Sequence, residues 1–388
     1  MNSSLRIGPE KNYKQVTEHK KLPFLFLLFS VLFFPSLSFP QKYLDYQDEG
    51  IKKLIFAGTE ACFQENYLLA EEKFKQILSQ APEDPAGYFL LAMFYQAQMI
   101  DYESDFRERD FYENIDLAKK YAKERIKHNE SAGSLGKDAW AYLFLGNAYG
   151  AKAVYEARKG NWWSGLNNGL MAKSALKEAI KLDPEFYDAY VGLGSYHYWA
   201  SVVTKALRWL PFIGDKREEG ITEMKLAFER SIFSQDAAAN GLVWILIKEK
   251  KFDQAISLAE KMQNKYPQGK SFLWAKATAY YEKFDWKDAL LSYQEIVTRI
   301  QLEIPPKAGN DQNDPKNLNN YYNLIECKFH TANCLFNLGK FKECISTCEE
   351  IQSFSLDEKT KDRQRDKLKG IRRLWEKSLK IMGKEEKK

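Results

Sequence analysis

Residues 139–184 read AWAYLFLGNAYGAKAVYEARKGNWWSGLNNGLMAKSALKEAIKLDP. Two apolar stripes run through them at helical spacing. Tyr142, Leu145, Gly146 and Tyr149 mark the first stripe, and Ala172, Leu176 and Ala179 mark the second. Small residues belong where two helices approach most closely, and aromatic residues fill the space beside them. Asp183-Pro184 closes the second helix, because proline cannot continue the intrahelical hydrogen-bond ladder. The stretch therefore predicts a pair of antiparallel helices.

The pattern recurs along the chain. The first copy has Gly58, Ala70, Phe74 and Pro82, and the second has Tyr88, Leu91, Ala92 and Tyr95 followed by Ala118 and Ala122. The stretch above is the third. Tyr190, Leu193, Gly194, His197, Gly220, Met224 and Ala227 make the fourth, and Leu242, Ala255, Ala259 and Pro267 the fifth. Ala277, Tyr280, Ala289 and Tyr293 make the sixth, and a degenerate seventh holds Ala332, Leu335, Cys344, Cys348 and Ile351. This phased series over residues 44–355 resembles the tetratricopeptide family, whose motif is W-x2-L-G-x2-Y, then A-x3-F, then P. The resemblance implies an all-α fold, a right-handed superhelical solenoid of helical hairpins.

Three copies are stretched. An ordinary copy places nine residues between the Tyr position and the small-residue position. Tyr95 to Ala118, Tyr149 to Ala172 and His197 to Gly220 each span 23. The excess of 14 predicts about two extra turns on each helix of these hairpins. Whole heptads preserve the facing stripes. The run 207–221 (LRWLPFIGDKREEGI) in the fourth copy also resembles a segment of a eukaryotic family of tetratricopeptide-like mitochondrial outer-membrane and inclusion-clearance proteins.

With 29% charged and 14% aromatic residues, the 388-residue chain has ample core material. Its N-terminus reads as an export signal. Arg6, Lys11, Lys14, Lys20 and Lys21 precede an apolar run from Leu22 to Phe34, and Ser36-Leu37-Ser38 offers small residues for cleavage before Phe39. An uncleaved anchor is the rival reading, with Pro23 and Pro35 interrupting the span. Removing residues 1–38 takes away five Lys/Arg and two Asp/Glu and leaves a net charge of about +2, no electrostatic footprint for nucleic acid. The Pro-, Asn- and Asp-rich segment 301–320 predicts a loop. In 356–388, apolar residues from Leu368 to Met382 recur at helical spacing, which predicts a capping helix with a basic tail.

Catalytic patterns are missing. None of His19, His128, His197 and His330 sits in a metal-binding motif, and no nucleophile elbow, phosphate loop or dinucleotide fingerprint is present. The expectation is no enzyme, no cofactor and no metal. Cys327, Cys334, Cys344 and Cys348 cluster in the last copy, with buried free thiols, an interhelical disulfide and a zinc site as the open readings.

Partner-binding residues follow from the resemblance. In the family, positions 2, 5, 9 and 12 of the first helix line the concave face. Carried over by register, these include Phe89, Trp140, Asn147, Tyr198, Trp244, Trp274, Tyr281 and Phe329. Such a groove is aromatic and nearly uncharged. Leu143 stands where carboxylate-clamp members carry Lys, so chaperone tails are not the expected ligand. The rings could equally pack on neighbouring helices. The tips of the long hairpins are a second candidate, with Trp162 and Trp163 at one and Trp209 and Phe212 at another. Apolar rings at loop tips either form a private core or dock a partner or a membrane. The sequence thus predicts an exported, periplasmic or envelope-associated scaffold that holds a peptide or partner protein in its groove. A peripheral lipid-contacting adaptor is the alternative, and oligomeric state is left open.

Overall fold

The computed structural model describes residues 48–131, 138–204, 214–303, 321–356 and 358–385. Among them every regular element is an α-helix. The helices pair as seven consecutive hairpins: α1 (Glu49–Phe63) with α2 (Tyr67–Gln80), α3 (Pro85–Asp101) with α4 (Glu108–Ser131), α5 (Ala139–Arg158) with α6 (Trp162–Leu182), α7 (Ala189–Val203) with α8 (Arg217–Arg230), α9 (Gln235–Lys248) with α10 (Phe252–Lys265), α11 (Ser271–Glu282) with α12 (Trp286–Glu303), and α13 (Tyr321–Asn337) with α14 (Phe341–Gln352). A short α15 (Glu358–Arg363) and a long α16 (Arg365–Glu385) follow, and α16 packs on α13 and α14. This is the tetratricopeptide-like array that the repeat pattern predicts.

Local sequence explains several of the helix starts. Asp48, Asp84 and Asp138 cap α1, α3 and α5 by accepting backbone N–H groups of the first turn. Arg125 of α4 pairs with both Asp84 and Asp138 and so ties two successive caps together. Asp188 works across a larger distance: fully buried, its carboxylate accepts from the amides of Ile232, Phe233 and Ser234 ahead of α9. The small residues of the second helices, Ala70, Ala118, Ala255 and Ala289, are fully buried at the crossing points.

The stretched copies differ from one another. In the third, α5 and α6 have 20 and 21 residues against 14 for α9 and α10, and a three-residue turn joins them. Both helices carry the extension. In the second, α4 grows to 24 residues while α3 reaches 17, and residues 102–107 form a longer turn. In the fourth, α8 begins at Arg217, only three residues before Gly220, so the second helix is not lengthened. Its excess lies between Val203 and Arg217, of which 205–213 fall outside the described residues. Lys216 N–H donates to Ser201 Oγ and the Arg217 amide to Asp215, which fixes the restart at that point. The predicted loop 301–320 also starts later, because α12 continues to Glu303, whose carboxylate is held by Lys270.

The ends of the array meet. The α1–α2 and α3–α4 turns touch the segment between α10 and α11, the first turn of α13 and the end of α15, more than 200 residues away in sequence. The superhelix therefore closes on itself within residues 48–385.

Candidate functional site

The closing contact is built from three kinds of interaction. The Phe63 ring stacks on Tyr266 and Phe272, with centroids 5.1 and 5.8 Å away. Backbone and amide groups pair across it: the Gln268 amide donates to Gln64 Oε1 at 3.1 Å, and the Lys270 amide to Glu65 Oε1 at 2.5 Å. The third is a charge cluster. The Lys270 ammonium, only 2% exposed, bonds Glu65 Oε2, lies 2.6 Å from Glu303 Oε1 and 3.4 Å from Asp101 Oδ1. Tyr67 O–H donates to Asp101 at 2.9 Å. One cation thus serves three carboxylates. Burial and the neighbouring Asp101 push the Glu65 carboxyl up to about 8, outweighing the pull of Lys270. Burial raises Glu303 as well.

Packing between neighbouring repeats uses up part of the predicted groove. Trp140 is 3% exposed, edge-on to Phe186 at 4.6 Å and packed on Phe233 at 5.2 Å, and Phe233 also meets Phe56 of α1. Tyr198 has no exposed surface and donates its hydroxyl to Glu249 at 2.8 Å. Both are core: Trp140 is covered by Phe186 and the segment ahead of α9, and Tyr198 by α8 and α9. Phe89 is half-buried against Phe144, and Asn147 half-buried with Oδ1 beside Gly192 of α7. Trp274 and Tyr281 both lie edge-on to Tyr293, and Tyr281 also meets His330. Phe329 lies under Gly370 of α16. Among the eight groove residues, Trp244 keeps the most open face, at 37%.

The tips behave differently. Trp162 and Trp163 are 62% and 85% exposed. The reason is in the register of α6. Gly165, Asn168 and Ala172 turn toward α5, and Gly165 comes so near that a Cβ there would lie 3.2 Å from the Ala153 carbonyl oxygen. That orientation sends Trp163, Leu166 and Leu170, at i, i+3 and i+7, outward on one stripe, and all are exposed. Trp199 and Val203, one turn apart near the end of α7, are exposed as well. At the neighbouring tip Phe111 is buried and packs on Tyr155 of α5, so those rings form a private core. Trp209 and Phe212 lie outside the described residues.

Two other clusters bear on chemistry. His197, Glu219 and Glu223 converge, with His197 Nδ1 2.7 Å from Glu223 Oε2, and Lys216 occupies both oxygens of Glu219. His197 Nε2 is buried without a partner. Cys327, Cys334, Cys344 and Cys348 are buried thiols in the core beneath α16, and Ser378 donates to Cys344 Sγ.

Neither the closing contact nor the Lys270 cluster has a local sequence signal, since its members are scattered over residues 63–303. No family model and no curated protein matches the chain. Solved structures similar to it include a thermophilic TPR protein, TTC0263 of Thermus thermophilus, 17% identical over 60% of this chain and 99% of that one, with a TM-score of 0.37. A tetratricopeptide repeat protein of Parabacteroides merdae is 12% identical over 84% and 99%, with a TM-score of 0.35. Yeast Tom70 is 19% identical over 91% of this chain and 68% of its own, with a TM-score of 0.38.

Proposed function

We propose that this chain is a protein-interaction scaffold whose contact surface is the apolar face at the third hairpin: Trp162, Trp163, Leu166 and Leu170 of α6 with Trp199 and Val203 of α7. The observation that carries this reading is the pair of adjacent tryptophans left exposed at the tip of an extended helical hairpin. A rigid aromatic anchor set in a partner's pocket typically contributes 2 kcal/mol or more, roughly thirtyfold in affinity. The interior groove is the weaker candidate, because its rings are engaged with one another and with neighbouring helices. Export follows from residues 1–38 alone, and intact-mass measurement of the native protein tests it: a species beginning near Phe39 supports it and a full-length one refutes it.

A lipid surface is the second reading, since tryptophan pairs also suit a membrane interface. The cations at this tip argue against it. Among the described residues at this tip, Arg158 pairs with Glu103 and Lys159 with Glu108. Among the described residues no helix is long and apolar enough to cross a membrane. A photo-crosslinking side chain placed at 163 and, separately, at 244 separates the surfaces. Crosslinks to protein from 163 and not from 244 support the tip. The reverse pattern restores the groove, and flotation of the intact chain with anionic vesicles, lost in Trp163→Ala, would favour the lipid reading.

A further inference from the structure

The fourth hairpin brings three metal-ligating side chains together. His197 lies on α7, and Glu219 and Glu223 lie one turn apart on α8. His197 Nδ1 and one oxygen from each carboxylate all fall within 4.8 Å of one another. His197 Nδ1 is 2.7 Å from Glu223 Oε2 and 3.5 Å from Glu219 Oε1. The imidazole is buried, Glu223 is partly covered, and Glu219 opens the cluster to solvent.

The backbone holds this arrangement. The two helices cross through a pair of glycines. A Cβ at Gly220 would lie 2.6 Å from the Gly194 carbonyl oxygen, and one at Gly194 would lie 2.8 Å from the Gly220 carbonyl oxygen. The backbones touch there, so the turn that carries His197 sits against the turn that carries Glu219 and Glu223. Ser201 adds a second tie, since its hydroxyl donates to the His197 carbonyl and accepts from the Lys216 amide. Ligand groups held on rigid, closely packed helices need little ordering when they bind.

We propose that His197, Glu219 and Glu223 form a binding site for a transition-metal dication of the Zn²⁺ class, with water in the fourth position. The charge fits: a neutral imidazole and two carboxylates balance a dication. Carboxylates four residues apart on one helix face repel each other. Lys216 and Lys177 answer Glu219 in the metal-free form, and the His197 ring answers Glu223. The spacing fits as well. Zn²⁺ takes histidine nitrogen and carboxylate oxygen at about 2.0–2.2 Å, which puts neighbouring ligand atoms of a tetrahedron about 3.3 Å apart. The two separations from Nδ1 lie on either side of that value. Binding requires a small shift of the Glu223 carboxylate and release of Glu219 by the half-exposed Lys216 side chain. His197 Nε2 has no partner with the ring proton on either nitrogen, so moving that proton leaves the same atom unsatisfied. An imidazole ligand favours Zn²⁺ over Ca²⁺ and Mg²⁺, which take oxygen ligands in larger number. No sequence motif marks the site, because its ligands come from two helices.

The experiment titrates the full chain, stripped of metal by a chelator, with Zn²⁺ in a calorimeter. Co²⁺ serves as the spectroscopic stand-in. Expected are one Zn²⁺ per chain at micromolar free metal, and visible Co²⁺ bands without the near-ultraviolet charge-transfer band of thiolate ligation. Glu219→Gln and Glu223→Gln keep the side-chain shape and should bind about tenfold more weakly or worse, with native helicity. Lys216→Met should bind about two- to fivefold more tightly, because the metal no longer competes with an exposed ion pair. Absence of Zn²⁺ uptake would overturn the proposal. So would unchanged affinity in both glutamine variants, or weaker binding in Lys216→Met. A thiolate band in the Co²⁺ spectrum would also overturn it and move the metal to the cysteines beneath α16.

Discussion

Lys270 has an ordinary place in its repeat, just before α11, and an unusual burden. It neutralises carboxylates that arrive from α3, α12 and the α1–α2 turn. Removing one partner of a buried charge set usually costs about 3–5 kcal/mol, because the opposite charge stays buried and uncompensated. Lys270→Met, which keeps the volume, should lower stability in urea by that amount at pH 7. The loss should be smaller at pH 4, where Glu303, raised by burial, is protonated and less charge needs an answer. An equal loss at both pH values would mean that the lysine's role is packing. Asp188 makes a parallel case without a cation. Three backbone amides at 2.8 to 2.9 Å depend on its carboxylate. Asp188→Ala should cost about 3 kcal/mol in the same assay. Asp188→Asn, with one acceptor oxygen left, should recover part of it.

At the scale of elements, the extensions of the second and third hairpins form one packed unit. Tyr155 is buried on Phe111, its hydroxyl donates to Asp105 at 3.1 Å, and Tyr112 donates to Glu156 across the same seam. Tyr155→Ala should therefore cost about 3–5 kcal/mol in thermal or chemical melts. Trp163→Ala, at the exposed end of the same hairpin, should stay within about 0.5 kcal/mol of wild type. Comparable losses in the two variants would show that the tip ring is core after all. Much of this level was legible beforehand. The stripes placed the hairpins, and the extra heptads placed the length of α5 and α6, because both signals are periodic and local. The fourth copy has the same spacing as the third, yet α8 keeps its ordinary start. Spacing counts residues and cannot say whether they continue a helix. The groove residues show the other limit. Trp140 and Tyr198 hold the predicted register positions, but register cannot reveal that Phe233 and Glu249 will pack against them.

At the scale of the whole molecule, closure changes how the array should unfold. A linear solenoid gains stability from nearest neighbours and can lose it a few repeats at a time. Contacts across 201 to 260 residues couple the first hairpins to the later ones, so residues 48–385 should melt in one cooperative step. Gly269 offers a way to cut that coupling. A Cβ at this position would lie 2.0 Å from the Phe63 carbonyl oxygen, and the nearest oxygen of its own segment, that of Tyr266, is 3.8 Å away. Gly269→Ala should thus push the first hairpin off while leaving the fifth and sixth hairpins packed. Loss of the Phe63 stacking and burial should cost about 2 kcal/mol or more. Circular dichroism and tryptophan fluorescence should give one shared urea midpoint in the wild type. In Gly269→Ala the midpoints should separate, with a shallower slope for each step, since each exposes less surface. Native helicity should be unchanged, because no hairpin has lost its partner helix. Coincident midpoints at the wild-type urea concentration in the variant would show that the ends contribute no coupling, and the array would then behave as an open solenoid despite their contact.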